Sequence, residues 1–168
     1  MILRKVTRDE LNLLREISIS TFIDAFGNQN TKENMAQYLS EKMSLEHMTS
    51  EYKNPESNFY FAIIDDRIVG YLKLNSGKAQ SELIPEAIEV ERIYVLKKHQ
   101  SQGIGKEMFD AAISTARKRN MKTLWLGVWD QNTQAITFYE RMGLKIFDTH
   151  SFMLGTDHQT DKLMKMNL

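Results

Sequence analysis

The sequence predicts an α/β chain of the α+β kind, a mixed β-sheet with helices packed on it, and three observations carry the prediction. The chain has 168 residues, close to the ~150 of an ordinary domain, which gives one domain over 1–168 with a single core. Apolar spacing switches back and forth between a helical period and an alternating, extended one. Hydrophobic residues make up 42% and charged residues 26%, the balance of a folded globular chain and not of a disordered one. Two prolines and eight glycines leave little material for linkers, and no repeat or low-complexity tract interrupts the pattern.

In chain order, Ile2 to Val6 reads as an opening strand. Thr7 or Asp9 can cap a helix whose apolar positions Leu11, Leu14, Ile17 and Phe22 keep helical spacing. Thr31 with Asn34 starts a second helical segment carrying Met35, Leu39, Met43 and Met48, which ends at the breaker Lys53-Asn54-Pro55. The period then becomes extended: Phe59 to Ile64, a turn at Asp65-Asp66, and Ile68 to Leu74 form an antiparallel hairpin. A polar loop from Asn75 to about Pro85 leads to a strand from Ile88 to Leu96. After it come a helix (Gly103 to Arg119), a strand (Thr123 to Trp129), a helix (Asn132 to Met142) and a strand (Leu144 to His150). Phe152 to Leu168 reads as one more strand or two short pieces around Gly155.

Composition removes several function classes. Lys plus Arg and Asp plus Glu each number 22, for a formal net charge of zero, so no global field favours nucleic acid or an anionic membrane. The longest apolar run, Phe59 to Ile64, is far short of the ~20 residues of a membrane helix. Cysteine is absent, which excludes a disulfide framework, a thiolate zinc site and a thioester on the enzyme. With no apolar leader after Met1, a cytoplasmic location is expected. His47, His99, His150 and His158 lack ligand spacing, and no metal is expected. The ten methionines read as core filler.

Two stretches carry chemistry. In the first, a strand ending at Val95 runs through Gln100-Ser101-Gln102-Gly103-Ile104-Gly105-Lys106 into a helix. A helix start offers N–H groups without intrahelical partners and a positive dipole end, and the glycines keep side chains out of the way of a phosphate. Glu107 stands where a Walker loop needs Ser or Thr, and Met108 where a dinucleotide fingerprint needs a third Gly. By themselves the two glycines are better read as a tight strand-to-helix turn. In the second stretch Asn132 caps a helix with Ala135, Phe138, Tyr139 and Met142 on one face and Gly143 at its end. A tyrosine on such a face is ordinarily core.

Together the two stretches resemble the GNAT superfamily of acetyl-CoA-dependent N-acetyltransferases. Gln100 to Gly105 is similar to its Gln/Arg-x-x-Gly-x-Gly/Ala pyrophosphate loop, and Asn132 through Ala135 to Phe138-Tyr139-x-x-x-Gly143 is similar to its second cofactor motif. The opening Ser20-Thr-Phe-Ile-Asp-Ala-Phe and the tail from His150 resemble the PaiA-type branch, whose members acetylate spermidine and spermine. The resemblance implies a mostly antiparallel twisted sheet whose central parallel pair splays, with acetyl-CoA as co-substrate. It assigns the backbone of Ile93, Tyr94 and Val95 to the pantetheine arm, and the N–H groups from Gln102 to Lys106 to the pyrophosphate. Lys106 either adds a charge contact or is a solvated helix residue. Asn132 either touches the arm or only caps its helix. Tyr139 takes the role of the acid that protonates the leaving thiolate.

An alkyl amine has a pKa of roughly 10.4, so about one molecule in a few thousand is neutral at pH 7, and some group must take its proton. Counting by twos puts Glu89, Glu91, Ile93 and Val95 on one strand face unless a bulge reverses the parity. Glu91 is the expected base and Glu89 the second choice, the alternative being two solvated carboxylates. The acceptor is expected to be a small primary amine, a polyamine on the narrower resemblance. Other amines and a non-catalytic acyl-CoA-binding module are the competing readings. Asp24, Phe26, Glu33, Tyr38 and the stretch Glu82 to Glu89 are candidate acceptor contacts, since a polycation calls for spaced carboxylates. An exposed edge on the C-terminal strand could pair two chains into a homodimer.

Overall fold

The extended runs assemble into one seven-stranded sheet in the order β1-β2-β3-β4-β5-β7-β6 in a computed structural model that describes residues 1–168. β1 (Ile2–Lys5), β2 (Ser57–Ile64), β3 (Arg67–Ser76) and β4 (Ala87–Val95) pair antiparallel. β5 (Thr123–Trp129) lies parallel to β4, and β7 (Asp157–Asn167) and β6 (Lys145–Leu154) add antiparallel strands beyond it. Asp65 and Asp66 join β2 to β3 with φ of 48° and 58°, the left-handed pair that a two-residue hairpin turn requires.

Helices cover both faces. α4 (Ile104–Lys118) and α5 (Thr133–Arg141) seal the larger core, where Met108, Phe109 and Ala112 meet Leu72, Leu74, Ile88, Val90 and Leu124. α1 (Leu11–Phe26) and α3 (Leu45–Lys53) lie on the opposite face, packing Leu14, Ile17 and Met48 against Phe59, Phe61 and Tyr71. Phe22, Met35, Met43 and Leu154 form a smaller cluster at α2 (Lys32–Lys42). No helix is long and apolar enough to cross a membrane.

Several boundaries differ from the sequence reading. A 3-10 turn at Arg8–Glu10 precedes α1, and Glu10 accepts from the Thr7 N–H at 2.9 Å, so Thr7 and not Asp9 starts the segment. The expected second helix is two helices, because Ser44 adopts an extended φ and ψ and its Oγ accepts from the His47 N–H at 3.1 Å. β3 runs on to Ser76, so the loop begins at Gly77. Gly155, with φ of 62°, is the turn of a long hairpin. β6 therefore continues past His150 to Leu154, and the last segment is a single strand. That strand lies between β5 and β6, so the free edge belongs to β6 and not to the C-terminal strand.

Two irregularities in β4 place the site. Its ladder with β5 consists of Ala87↔Thr123, Ile88↔Leu124 and Glu89↔Trp125 and goes no further, so the strands part beyond Glu89. Its ladder with β3 skips a residue, Lys73 pairing with Arg92 and Leu74 with Val90. Glu91 is the extra residue of a β-bulge, and the parity reverses there. Glu89, Arg92 and Tyr94 therefore share the α1 and α3 face, whereas Ile93 and Val95 point into the α4 core. The expected single face of Glu89, Glu91, Ile93 and Val95 is corrected by that bulge.

Gly70 of β3 makes the last part of this ladder close, because a Cβ there would collide with the Tyr94 carbonyl oxygen and press on Val95. Gly70→Ala should force β3 from β4 and destabilise the fold by about 1–3 kcal/mol, the usual cost of overpacking, read as a lowered urea midpoint.

Candidate active site

Where β4 and β5 part, a cleft of about 740 Å³ opens, walled by both strands, the N-termini of α4 and α5, helices α1 and α2, and β6 and β7. Of the residues assigned from sequence to cofactor or catalysis, all but Gln102 line it. The order of a strand, a helix, a strand and a helix brings them together, since each helix starts near the end of β4 or β5 where the ladder has stopped.

The loop before α4 is shaped for an anion. Ser101 and Gly103 have φ of 62° and 80°, and the first intrahelical bond runs from the Glu107 N–H to the Gly103 carbonyl at 3.2 Å. The N–H groups of Ile104, Gly105 and Lys106 thus have no helix partner. A Cβ on Gly103 would meet nothing within 4 Å, so glycine is required there by conformation and not by space. The Gln100 and Gln102 side chains donate to the carbonyls of Val95 and Lys98 at 3.1 and 3.4 Å and brace the loop. Lys106 is exposed and pairs with Asp110 at 2.6 Å. The strand edge of β4 beyond Glu89, these N–H groups and the glycine floor fit the pantetheine and pyrophosphate of CoA.

At the other helix, Asn132 Oδ1 accepts from the Ala135 N–H at 3.1 Å, so the residue caps α5. Tyr139 is buried, with its ring 5.5 Å from Phe109 and 5.2 Å from Phe138, and reaches the cleft. Burial pushes its phenol well above the ordinary range. It therefore stays protonated and can donate but not accept a proton near neutrality.

The carboxylates have sharply different surroundings. Glu91 pairs with Lys73 at 2.5 Å and Arg92 at 3.2 Å and accepts from the Asn75 amide. Burial acts to raise its pKa, but Arg92 and Lys73 outweigh burial and hold it below the usual carboxylate range. Glu51 of α3 completes the network, taking Arg92 in two bonds of 2.9 and 3.0 Å and Lys73 at 2.6 Å. Glu89, 3% exposed, accepts from the Ser81 N–H at 2.9 Å and its hydroxyl at 2.5 Å, and from Asn75 at 3.2 Å. Burial raises its pKa in spite of these bonds, and the charge on Glu91 adds to the rise.

Sequence reasoning missed Asp161, which lines the cleft from β7 and is pushed up to about 6 by burial. It also missed Trp129, Phe22 and Gly127 as cleft residues. Their signal is cross-strand and carries no local spacing. Of the expected acceptor contacts, Phe26 and Tyr38 line the cleft, Asp24 lies in a smaller neighbouring pocket of about 400 Å³, and Glu33 is exposed and lines neither. Glu82 bonds His150 Nδ1 at 2.6 Å, and His150 lines the cleft. No group of three or more His, Asp or Glu side chains could hold a metal ion.

The model of the acetyltransferase (GNAT) family matches residues 19–144. A protein of Lactobacillus delbrueckii subsp. lactis, named as an N-acetyltransferase in the pepI 3′ region, is 41% identical over 165 residues, which is 98% of this chain and 95% of that protein. A spermidine N(1)-acetyltransferase of Thermoplasma acidophilum is 24% identical over 151 residues, covering 88% and 89%. The crystal structure of the PaiA N-acetyltransferase of that organism with coenzyme A superimposes with a TM-score of 0.78 at 21% identity, covering 99% and 98%.

Gly103→Glu places bulk, an unfavourable φ and a negative charge at the start of α4. CoA affinity should fall at least tenfold by calorimetry with the far-UV spectrum unchanged, and Gly103→Ala should fall less, because it adds the strain without the charge.

Proposed function

This chain belongs to the GNAT family of acetyltransferases, and from that premise we propose that the amine it acetylates is a polyamine, spermidine or spermine. As an acetyl-CoA-dependent N-acetyltransferase it needs an amine acceptor, and one observation favours a polycation. Two carboxylates that no cation neutralises, Glu89 and Asp161, line one cleft whose rim also holds the Glu82 and His150 pair. The resemblance of the opening helix and the tail to polyamine acetyltransferases agrees with it, as does the spermidine acetyltransferase among the relatives.

Acetyl-CoA supplies an acyl group already activated as a thioester. In the proposed mechanism the β4 backbone at Ile93, Tyr94 and Val95 holds the arm, and the N–H groups from Gln102 to Lys106 hold the pyrophosphate. Asn132 and Ala135 border the arm at the start of α5. With no cysteine in the chain, the amine nitrogen attacks the acyl carbon directly, the C–N bond forming as the C–S bond breaks. Glu89 takes the ammonium proton. It is the better base of the two glutamates because its pKa is raised, whereas Glu91 is tied to two cations and keeps its charge. Glu91 acts by charge, keeping Lys73 and Arg92 neutralised beside the acceptor. The Tyr139 hydroxyl gives its proton to the departing sulfur, and the second proton, shed by the acylated nitrogen as the amide forms, passes to solvent, from which Tyr139 is reprotonated.

Tyr139→Phe keeps the packing and deletes the hydroxyl. Its kcat should fall by about tenfold to a hundredfold with the KM for acetyl-CoA preserved, within the range of general acid catalysis.

With a raised pKa, Glu89 is protonated at acid pH and gains base activity as pH rises through a value above the ordinary carboxylate range. The parent kcat at saturating spermidine should rise with pH through that limb; Glu89→Gln should lower the plateau and lose the limb, and Glu91→Gln should retain it. Mass spectrometry of an amine panel incubated with acetyl-CoA tests the acceptor: spermidine and spermine should exceed monoamines and peptides, and the spermidine KM should rise with salt. Preference for peptides or monoamines would remove the polyamine reading.

A further inference from the structure

We infer that the sheet face over Gly127 is a subsite for a charged, non-reacting ammonium of the acceptor, held by Asp161 against an aromatic wall of Phe22, Phe26, Tyr38 and Trp129. The inference deepens the polyamine reading and rests on it for the identity of the natural ligand, though not for the chemistry of the subsite.

Asp161 on β7 is the cross-strand partner of Trp129 on β5, so the two side chains emerge on one face. Gly127, two residues before Trp129, lies on that face as well. A Cβ at Gly127 would come within 3.2 Å of Asp161 Oδ2, which shows that the carboxylate lies over bare backbone. Any other residue at 127 would press on it.

Asp161 also differs from the other cleft carboxylates in its partners. Glu89 accepts from Ser81 and Asn75, and Glu91 is bound by Lys73. Nothing donates a hydrogen bond to Asp161; the groups that act on its titration besides burial are His150 of β6 and Asp130 at the end of β5, with Tyr38 of α2 sensing its charge in turn. A half-buried carboxylate with no protein donor keeps its acceptor capacity for a ligand that enters the cleft.

The wall completes the chemistry. Phe22 and Tyr38 stack at 4.6 Å with an interplanar angle of 6°, Phe26 lies 4.6 Å from Phe22, and Trp129 lies 6.0 Å from Phe26. All four rings line the cleft. Aromatic faces and one carboxylate attract an alkylammonium and give nothing to an anion. A carboxylate partner favours the protonated amine, so a nitrogen held by Asp161 is not the nucleophile. The acceptor must then carry a second nitrogen for transfer, as a polyamine does and a simple monoamine does not.

The test is Asp161→Asn, which removes the charge at nearly constant shape, with Asp161→Glu as rescue. Spermidine and 1,3-diaminopropane are titrated calorimetrically into the enzyme with CoA present, and steady-state constants are measured beside them. The KM and Kd for these amines should rise at least tenfold in the Asn variant, with kcat at saturating amine within threefold of the parent and the KM for acetyl-CoA unchanged. The Glu variant should recover most of the loss, and Trp129→Leu should weaken amine binding too. Equal amine affinities in parent and Asp161→Asn overturn the subsite even if spermidine is acetylated. A loss of kcat without change in KM overturns it too, because that result makes Asp161 a base. Diaminopropane binding that depends on Asp161, with no acetylation of spermidine, leaves the subsite standing and removes the polyamine reading. A parent that binds no cationic amine removes both.

Discussion

The parting of β4 from β5 after three paired residues is the constraint on which the rest of the structure depends. A strand interior to a sheet ordinarily spends its N–H and C=O groups on both neighbours. Here β4 keeps β3 from Ile88 to Val95, on both sides of the bulge, and gives up β5 beyond Glu89. Backbone groups left in this way need another partner, and an extended ligand can supply it as an added strand. The same gap lets the start of α4, with its free N–H groups, and the start of α5 converge on one cleft. It also lets Tyr139, buried on the α4 side, reach a space that the α1 side shares.

Holding a sheet open costs packing, and the bulge at Glu91 belongs to the compensation. It turns Arg92 and Tyr94 to the α1 and α3 face, where Arg92 meets Glu51 in two bonds and Tyr94 stacks 5.7 Å from Tyr71. Lys73, 3% exposed, is matched by Glu51 and Glu91, so two buried cations and two part-buried anions form a neutral set. Buried charges in such a set are costly to separate, and removal of one partner leaves an uncompensated ion. The set has a chemical consequence. It fixes Glu91 as an anion and leaves Glu89, which hydroxyl, amide and backbone donors serve without any cation, as the glutamate of the pair whose proton affinity is raised.

Some of this was legible in the chain. The loop from Gln100 to Lys106 and the helix from Asn132 to Gly143 are local: a helix start, its cap, its glycines and its apolar face all fall within a few residues of each other, and spacing alone reveals them. The two-residue turn at Asp65-Asp66 is legible for the same reason. The break at Ser44 was also available to inspection, as a serine three residues before His47 in an otherwise helical run, but helical spacing of Met43 and Met48 across it masked the cap. The strand parity of Glu89 and Glu91 was not legible, because a bulge depends on how β4 registers against β3, and that register lies in the partner strand.

The sequence by itself determined the fold class, the order of most elements and the glycine-lined start of α4, since these follow from short-range propensities and hydrophobic period. It also determined that transfer has no thiol route, because cysteine is absent. Only the tertiary structure decided which glutamate is neutralised by cations, which carboxylate lies without a donor, and which aromatic rings meet. Asp161, Trp129, Gly127 and Phe22 come from β7, β5 and α1 and are brought to one face by strand pairing and helix packing. The electrostatic character of a carboxylate depends on charges and burial within a few ångströms, and in a sheet those neighbours are distant in sequence.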